Sequence, residues 1–510
     1  MAQFDIDLLV VGGGAAGLTA AGTAAALGMK TVLVEKHRLG GDCTWTGCVP
    51  SKTLLHAAEL RASARALGRY TAPDPGSSPG QAAEPPEVDF PSVMAHLRAL
   101  REDVYREADA PETLAPFGVE VVGGAARFLG THAVEITGDG GPFTGAAPQG
   151  ARRLTFRKAI LCTGGRAAPP PIDGLDATPH LTNETLFELT ERPEHLVIVG
   201  AGPIGCEMGQ AFRRLGSTVT VIDRADEVLG RDEPRNAAIV RQALEAEGVR
   251  FLLGADVDRA EAAGAGVRLT VSQGEATQTV EGDRLLVATG RAPNVEGLGL
   301  EAAGVAFTRT GITVDDRCRT SQAHIWAAGD CTGEYALTHM SEHMGKTAAT
   351  NAAIRLGSKI DRAGITWTTF TSPELAQLGK TEAELREAGT AFVTYRFPYT
   401  KVDRALTEGA TDGQILVHAT RWRGKILGAS VAGARAGELV ALYAVARKAG
   451  VTLREISDTI IAYPTYGLGA RRAADQWYVQ KQFPAAIRVV KRVFGYRGLT
   501  PPPPDPDRVV

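Results

Sequence analysis

The stretch Leu8-Leu9-Val10-Val11-Gly12-Gly13-Gly14-Ala15-Ala16-Gly17 decides the fold, because its pattern occurs twice. Four apolar residues predict a short buried strand. Gly12, Gly14 and Gly17 then predict a tight turn into a helix, and the Ala-rich residues beyond have a helical pattern. A second apolar run, Thr31 to Val34, ends on Glu35. The second copy is Leu196-Val197-Ile198-Val199-Gly200-Ala201-Gly202-Pro203-Ile204-Gly205. A helical stretch follows it, then Thr218 to Ile222, ending on Asp223. In both copies the middle glycine lies 21 residues before the acid.

Strand, glycine loop, helix, strand and terminal acid are the layout of a dinucleotide-binding unit. The glycines let backbone N–H groups approach a diphosphate at a helix N-terminus. The acid accepts hydrogen bonds from a ribose diol. One such pattern is weak evidence and two complete copies are strong; the competing reading is two Gly-rich turns in unrelated α/β units. The composition agrees with a multidomain globular chain: 510 residues, 44% apolar, 22% charged and a net charge of -3. That balance carries no nucleic-acid footprint. No apolar run approaches the roughly 18 residues of a membrane span. The N-terminus has acidic residues and no signal-peptide layout, so a cytoplasmic location is expected.

Residues 71 to 86 are rich in Pro, Gly and Ser and predict an exposed loop. Residues 92 to 109 have a helical pattern. Leu285 to Asn294 (LLVATGRAPN) echoes Ile160 to Pro169 (ILCTGGRAAP), with Thr163 and Gly164 in one turn and Gly290 in the other. From about residue 365 the pattern changes to strands followed by a helix, which predicts a separate α+β domain. The expected divisions are 1–155, 156–284, 285–362, 363–475 and a C-terminal extension, 476–510, whose last ten residues are too Pro-rich to fold.

Six cysteines stand at 43, 48, 162, 206, 318 and 331. Only two are close together, in Gly40-Gly41-Asp42-Cys43-Thr44-Trp45-Thr46-Gly47-Cys48-Val49-Pro50-Ser51-Lys52. A close pair in a cytosolic chain is more often catalytic or metal-binding than structural. A helix start also favours thiolate over thiol. A structural pair and half of a zinc site are the other readings; no His or Cys at ligand spacing stands nearby, and no metal site is expected.

This segment resembles the active-site motif of the pyridine nucleotide–disulfide oxidoreductases, GGTCLNVGCIPSK in its commonest form. The resemblance runs from residue 6 to about 475 and includes both nucleotide units, the two Thr-Gly turns, the Ala-Ala-Gly-Asp ending at Asp330, and Ser372-Pro373-Glu374. It implies two Rossmann-like domains, for FAD and NAD(P), and a C-terminal dimerisation domain, in a homodimer. By position, Gly12, Gly14, Gly17 and Glu35 would bind the ADP half of FAD and Asp330 its ribityl chain, with Thr163, Gly164 and Gly290 completing the cofactor set. Gly200, Gly202, Gly205 and Asp223 would bind the nicotinamide dinucleotide. Lys52 and Glu207 would form an ion pair beside the flavin. Cys48 would be the flavin-proximal thiol and Cys43 the interchange thiol. The implied relay runs from NAD(P)H through the flavin to the Cys43–Cys48 disulfide, and from the dithiol to an acceptor. Asp223 favours NADH, because a carboxylate repels a 2′-phosphate, although Arg224 beside it could receive one.

Two departures shape the acceptor side. Where dihydrolipoamide dehydrogenase and glutathione reductase carry His-Pro-Thr-x-x-Glu, this chain has Tyr463-Pro464-Thr465-Tyr466-Gly467-Leu468. A phenol is a poor general base at neutral pH, so ordinary dithiol–disulfide exchange is not expected. Tyr463, like the segment Val402 to Gly409 (VDRALTEG), resembles the mercuric-reductase branch, where thiolates suit a soft metal ion. Yet no Cys follows Cys331 to supply the metal-capturing tail of mercuric reductases. A metal ion, a quinone or another small electrophile is the expected acceptor. The alternatives are a dihydrolipoamide dehydrogenase and a redox-sensing flavoprotein without turnover. The second departure is residues 471–497, a basic amphipathic stretch whose part 476–497 could touch a membrane surface or pack on its own domain.

Overall fold

The computed structural model describes residues 4–67, 70, 87–138, 150–354 and 357–498. The expected loop at 71–86 and the Pro-rich last ten residues lie outside the described residues.

Both glycine-loop units fold as parallel sheets. In the first, the order is Glu120–Gly123, Thr31–Glu35, Ile6–Val11 and Ala151–Leu161, with Ile325–Ala327 beyond. Strands buried on both faces need near-continuous apolar sequence, which Leu8 to Val11 supplies. The strand Ala151–Leu161 is long because it serves twice. Its first half pairs antiparallel with Ala133–Thr137, and its second half pairs parallel with Ile6–Val11. The helix Ala15–Ala26 buries Ala16, Ala20, Ala21 and Ala24. Small side chains let it meet the helix Thr338–Ile354 closely: a Cβ on Gly345 would stand 2.3 Å from the Ala16 carbonyl oxygen.

The second parallel sheet runs Val249–Leu253, Thr218–Asp223, His195–Val199, Arg284–Val287. The two echoing segments meet each other. Gly165–Ala167 and Arg291–Pro293 form a two-stranded antiparallel ribbon where the chain leaves the first unit and returns to it. Thr163 Oγ1 donates to the Asn294 carbonyl (2.7 Å) and Asn294 Nδ2 to that of Thr163 (2.9 Å). The expected divisions at 155/156 and 284/285 fall within secondary-structure elements, the strands Ala151–Leu161 and Arg284–Val287, and the crossover lies at the ribbon.

The C-terminal domain is a five-stranded antiparallel sheet in the order Thr366–Thr369, Glu374–Gly379, Ile426–Gly433, Gln414–Ala419, Val393–Pro398. The helices Ala436–Ala449 and Tyr466–Phe494 pack on it, tied by the Tyr443 hydroxyl donating to the Ala470 carbonyl (2.7 Å). The terminal helix passes unbroken through the expected division at 475/476. The fold class is as expected, α/β with two dinucleotide-binding units and an α+β domain.

Candidate active site

The two glycine loops are built alike, down to single hydrogen bonds. Glu35 accepts from the N–H of Gly13 (2.6 Å) and of His37 (2.7 Å). Asp223 accepts from the N–H of Ala201 (2.6 Å) and of Ala225 (2.8 Å). Each acid thus fastens its loop to the end of the neighbouring strand. A Cβ on Gly17 would lie 1.8 Å from the Gly12 carbonyl oxygen, and one on Gly205 would lie 1.8 Å from that of Gly200, so the fold forbids a side chain there. The middle glycines differ. A Cβ on Gly202 would meet no protein atom within 4 Å, and one on Gly14 only the Gly41 Cα at 3.7 Å. The protein leaves open space at these two positions, as a diphosphate requires. The first cradle is closed by Gly40 and Gly41, both at positive φ, so the redox loop approaches within backbone contact of the first glycine loop. These residues fit FAD on the first unit and a nicotinamide dinucleotide on the second.

Cys43 lies in the short helix Gly41–Trp45, and Cys48 opens the helix Cys48–Leu67. The two thiols hydrogen-bond each other, and this drives them apart in acidity. Cys43 is pushed up, first by donating to Cys48 and then by burial. Cys48 is lowered to about 6, first by accepting from Cys43, then by Thr338 and the Lys52 ammonium, against burial and Glu207. The negative charge of the pair is therefore favoured on Cys48 rather than Cys43. Lys52 Nζ, one turn along the same helix, pairs with Glu207 Oε2 at 2.9 Å. Glu207 is buried, and its other oxygen accepts from the Phe370 N–H at 2.9 Å. Lys52 also lies 4.4 Å from the centre of the Phe370 ring. Cys43, Cys48, Lys52 and Glu207 are thus brought together.

Tyr463 is not among them. It is 70% exposed in the C-terminal domain, and among the described residues the hydrogen-bond partners of the two thiols are each other and Thr338. The neighbouring Tyr466 is held inside its own chain. Its hydroxyl donates to Glu408 Oε2 (2.7 Å), so the Tyr-Pro-Thr-Tyr segment and the segment from Val402 to Gly409 meet.

Three groups escaped the sequence reading. Thr338, the first residue of the helix Thr338–Ile354, lies with its hydroxyl 3.3 Å from Cys48 Sγ and favours the ionised form of both thiols. A threonine carries no chemical signature, and only its place soon after Asp330 could have marked it. Arg291, next to Gly290, pairs with Asp42 beside Cys43 and stands 3.3 Å from Asp330. Burial pushes the Asp330 carboxyl up, and Arg291 opposes this. Asp42 occupies the position of Thr in the commonest family motif, which was the available signal. Cys162, Cys206, Cys318 and Cys331 are buried, and burial raises each of these thiols. Among the described residues no group of three or more His, Cys, Asp or Glu is gathered to hold a metal ion.

Thr338→Val removes one hydrogen bond to a charged sulfur. We expect the Cys48 titration midpoint to rise by about one unit. The long-wavelength absorbance of the reduced holoenzyme, followed against pH, measures it; an unmoved midpoint would show that the hydroxyl does not act on the thiolate.

A double dinucleotide scaffold with two thiols at the mouth of the first cradle defines a flavoprotein oxidoreductase. The family model for pyridine nucleotide-disulphide oxidoreductases matches residues 6–345, and that for the family's dimerisation domain matches residues 365–473. The chain belongs to this family, whose members depend on FAD and use a pyridine nucleotide. A mercuric reductase of Streptomyces lividans is 35% identical over 470 residues, 92% of this chain and 95% of that protein. A dihydrolipoyl dehydrogenase of Geobacillus stearothermophilus is 34% identical over 474 residues, 92% of this chain and 96% of that protein. Among solved structures, the Cu(II) complex of the HOCl-induced flavoprotein disulfide reductase RclA from Escherichia coli has a TM-score of 0.79 at 26% identity, covering 93% of this chain and 100% of that one.

Proposed function

We propose that the enzyme takes reducing equivalents from NADH and delivers them through Cys43 and Cys48 to a soft metal ion, as a cytoplasmic homodimer. The observation that carries the acceptor is the pairing of a Cys48 thiolate with Tyr463 and Leu468 where the disulfide-reducing members hold a His and a Glu. Reducing an organic disulfide requires a proton for the leaving thiolate, and a positioned acid–base group contributes roughly 10²–10⁴-fold to such a step. A soft cation needs two sulfur donors and no such proton. The similarity to a mercuric reductase, and to a reductase solved with Cu(II), supports this reading; the nearly equal identity to a dihydrolipoyl dehydrogenase does not separate the two.

In this reading Gly12, Gly14, Gly17 and Glu35 hold the ADP half of FAD, and Asp330, neutralised by Arg291, holds the ribityl chain. Thr163, Gly164 and Gly290 support the cofactor from the crossover. When bound, FAD supplies two-electron transfer between nicotinamide and disulfide. Gly200, Gly202 and Gly205 cradle the nicotinamide dinucleotide. Asp223, its carboxylate fixed by two backbone N–H groups, selects the free diol of NADH by repelling a 2′-phosphate. Lys52 keeps positive charge beside Cys48, and Glu207 holds Lys52 in place. Cys43 meets the acceptor, and Tyr463 of the second protomer lines its approach.

NADH oxidation assayed against Hg(II), Cu(II), quinones, lipoamide and glutathione disulfide tests the proposal. We expect turnover with a metal ion to exceed turnover with either disulfide by at least roughly 100-fold. Lipoamide turnover matching the metal's would overturn the acceptor assignment. A quinone turned over faster than any metal ion would move it to the other electrophiles. A higher kcat/KM for NADPH than for NADH would overturn the reading of Asp223.

A further inference from the structure

The helix Tyr466–Phe494 outruns the domain it belongs to. Its first turns are buried through Ala470, Ala473, Ala474 and Trp477. Its last turns are not: Val489, Val490, Val493 and Phe494 are exposed, Val493 at 67% and Phe494 at 64%. Tyr496, just past the C-terminal Gly495, is exposed too and stacks on Phe494 with ring centres 5.8 Å apart.

The side chains of these turns are sorted by chemistry. At about 100° per residue, Val489, Val490, Val493 and Phe494 fall within an arc of about 140°. Arg488, Lys491 and Arg492 fall within an arc of about 100° on the other side. Residues 476–498 carry five cations and no acid, in a chain of net charge -3. A face rich in cations and lacking acids is not self-complementary, since a two-fold contact of this face with its copy would set like charges together. An apolar arc flanked by cations matches the boundary between anionic headgroups and acyl chains. No helix among the described residues is long and apolar enough to cross a membrane, so this one would lie on the surface.

We propose that residues 487–497 dock the enzyme on an anionic lipid surface. The valines and Phe494 enter at headgroup depth, Arg488, Arg492 and Arg497 meet lipid phosphates, and Tyr496 sits at the boundary where an amphipathic ring is favoured.

The test is co-sedimentation of the full-length holoenzyme with vesicles of phosphatidylcholine, alone or with phosphatidylglycerol. Arg488→Glu/Arg492→Glu and Val493→Ser/Phe494→Ser are compared with the parent, with bound-FAD absorbance confirming that each is folded. We expect binding to the anionic vesicles, at least roughly tenfold weaker binding to the neutral ones, and a loss of roughly tenfold or more in the charge variant. Raised salt should weaken binding, and the apolar variant should bind poorly at any salt. Absence of binding to anionic vesicles overturns the proposal, as does equal binding by parent and variants. A change from dimer to monomer in light scattering of the variants also overturns it, because the face would then belong to a second copy of the chain.

Discussion

Serine in place of Cys48 leaves a folded, FAD-containing protein that has lost the long-wavelength absorbance of the reduced form, and metal-ion turnover falls by roughly 10³-fold or more. The expectation follows from the division of charge between the thiols. Cys48 is lowered to about 6 by three groups that favour its anion: the Cys43 thiol, Thr338 and Lys52. A serine hydroxyl in that position stays neutral across the accessible pH range and forms no disulfide with Cys43. Cys43→Ser removes the partner thiol and should cost turnover similarly, but with a different signature. The serine hydroxyl at position 43 can still donate to Cys48, so the Cys48 thiolate and its long-wavelength absorbance should remain, while no disulfide can form. Rapid-scanning spectra during NADH titration separate the two variants. Turnover of Cys48→Ser within tenfold of the parent would mean that electrons reach the acceptor without the pair.

What could be read from the sequence follows the range of the interactions. The glycine loops were legible because their constraints are local: Gly17 is fixed by the Gly12 carbonyl, and Glu35 by the N–H of Gly13 and His37. Lys52 and Glu207, 155 positions apart, were placed together only by family resemblance. Thr338 lies 290 positions from Cys48, in a residue type found anywhere, and only its place soon after Asp330 could have marked it. One eleven-residue strand spans 155/156, pairing antiparallel in its first half and parallel in its second, which a change of sequence pattern does not reveal. The terminal helix was cut at 475 because the resemblance ends there, whereas backbone hydrogen bonding continues to Phe494. Tyr463 was legible as a departure, but it stands exposed in the C-terminal domain, and among the described residues nothing brings it to the thiols.

Lys52→Met and Glu207→Gln should move the Cys48 midpoint in opposite directions. Lys52 favours the thiolate and Glu207 opposes it. An acid's midpoint rises when a cation is removed, so Lys52→Met shifts it upward from about 6. Removing the opposing carboxylate shifts it downward, and Glu207→Gln lowers it. The size is set by screening: Lys52 is 36% exposed and Glu207 is 6% exposed, so each shift is expected at about one unit rather than the several seen for fully buried charges. The stability costs differ as well. Lys52→Met leaves a buried carboxylate with only the Phe370 N–H as its partner, at a cost of about 2–3 kcal/mol, below that of breaking a fully buried pair. Glu207→Gln keeps an acceptor for that N–H and leaves Lys52 able to reach solvent, so it costs less. Turnover at pH 7 should fall by roughly twofold in Lys52→Met, where about half of Cys48 becomes a neutral thiol, and change little in Glu207→Gln, where the thiolate fraction rises. Absorbance of the reduced holoenzyme against pH measures both midpoints, and thermal melting measures the stabilities. Midpoints moving in the same direction would mean that packing around Lys52 and Phe370, rather than charge, governs the thiolate.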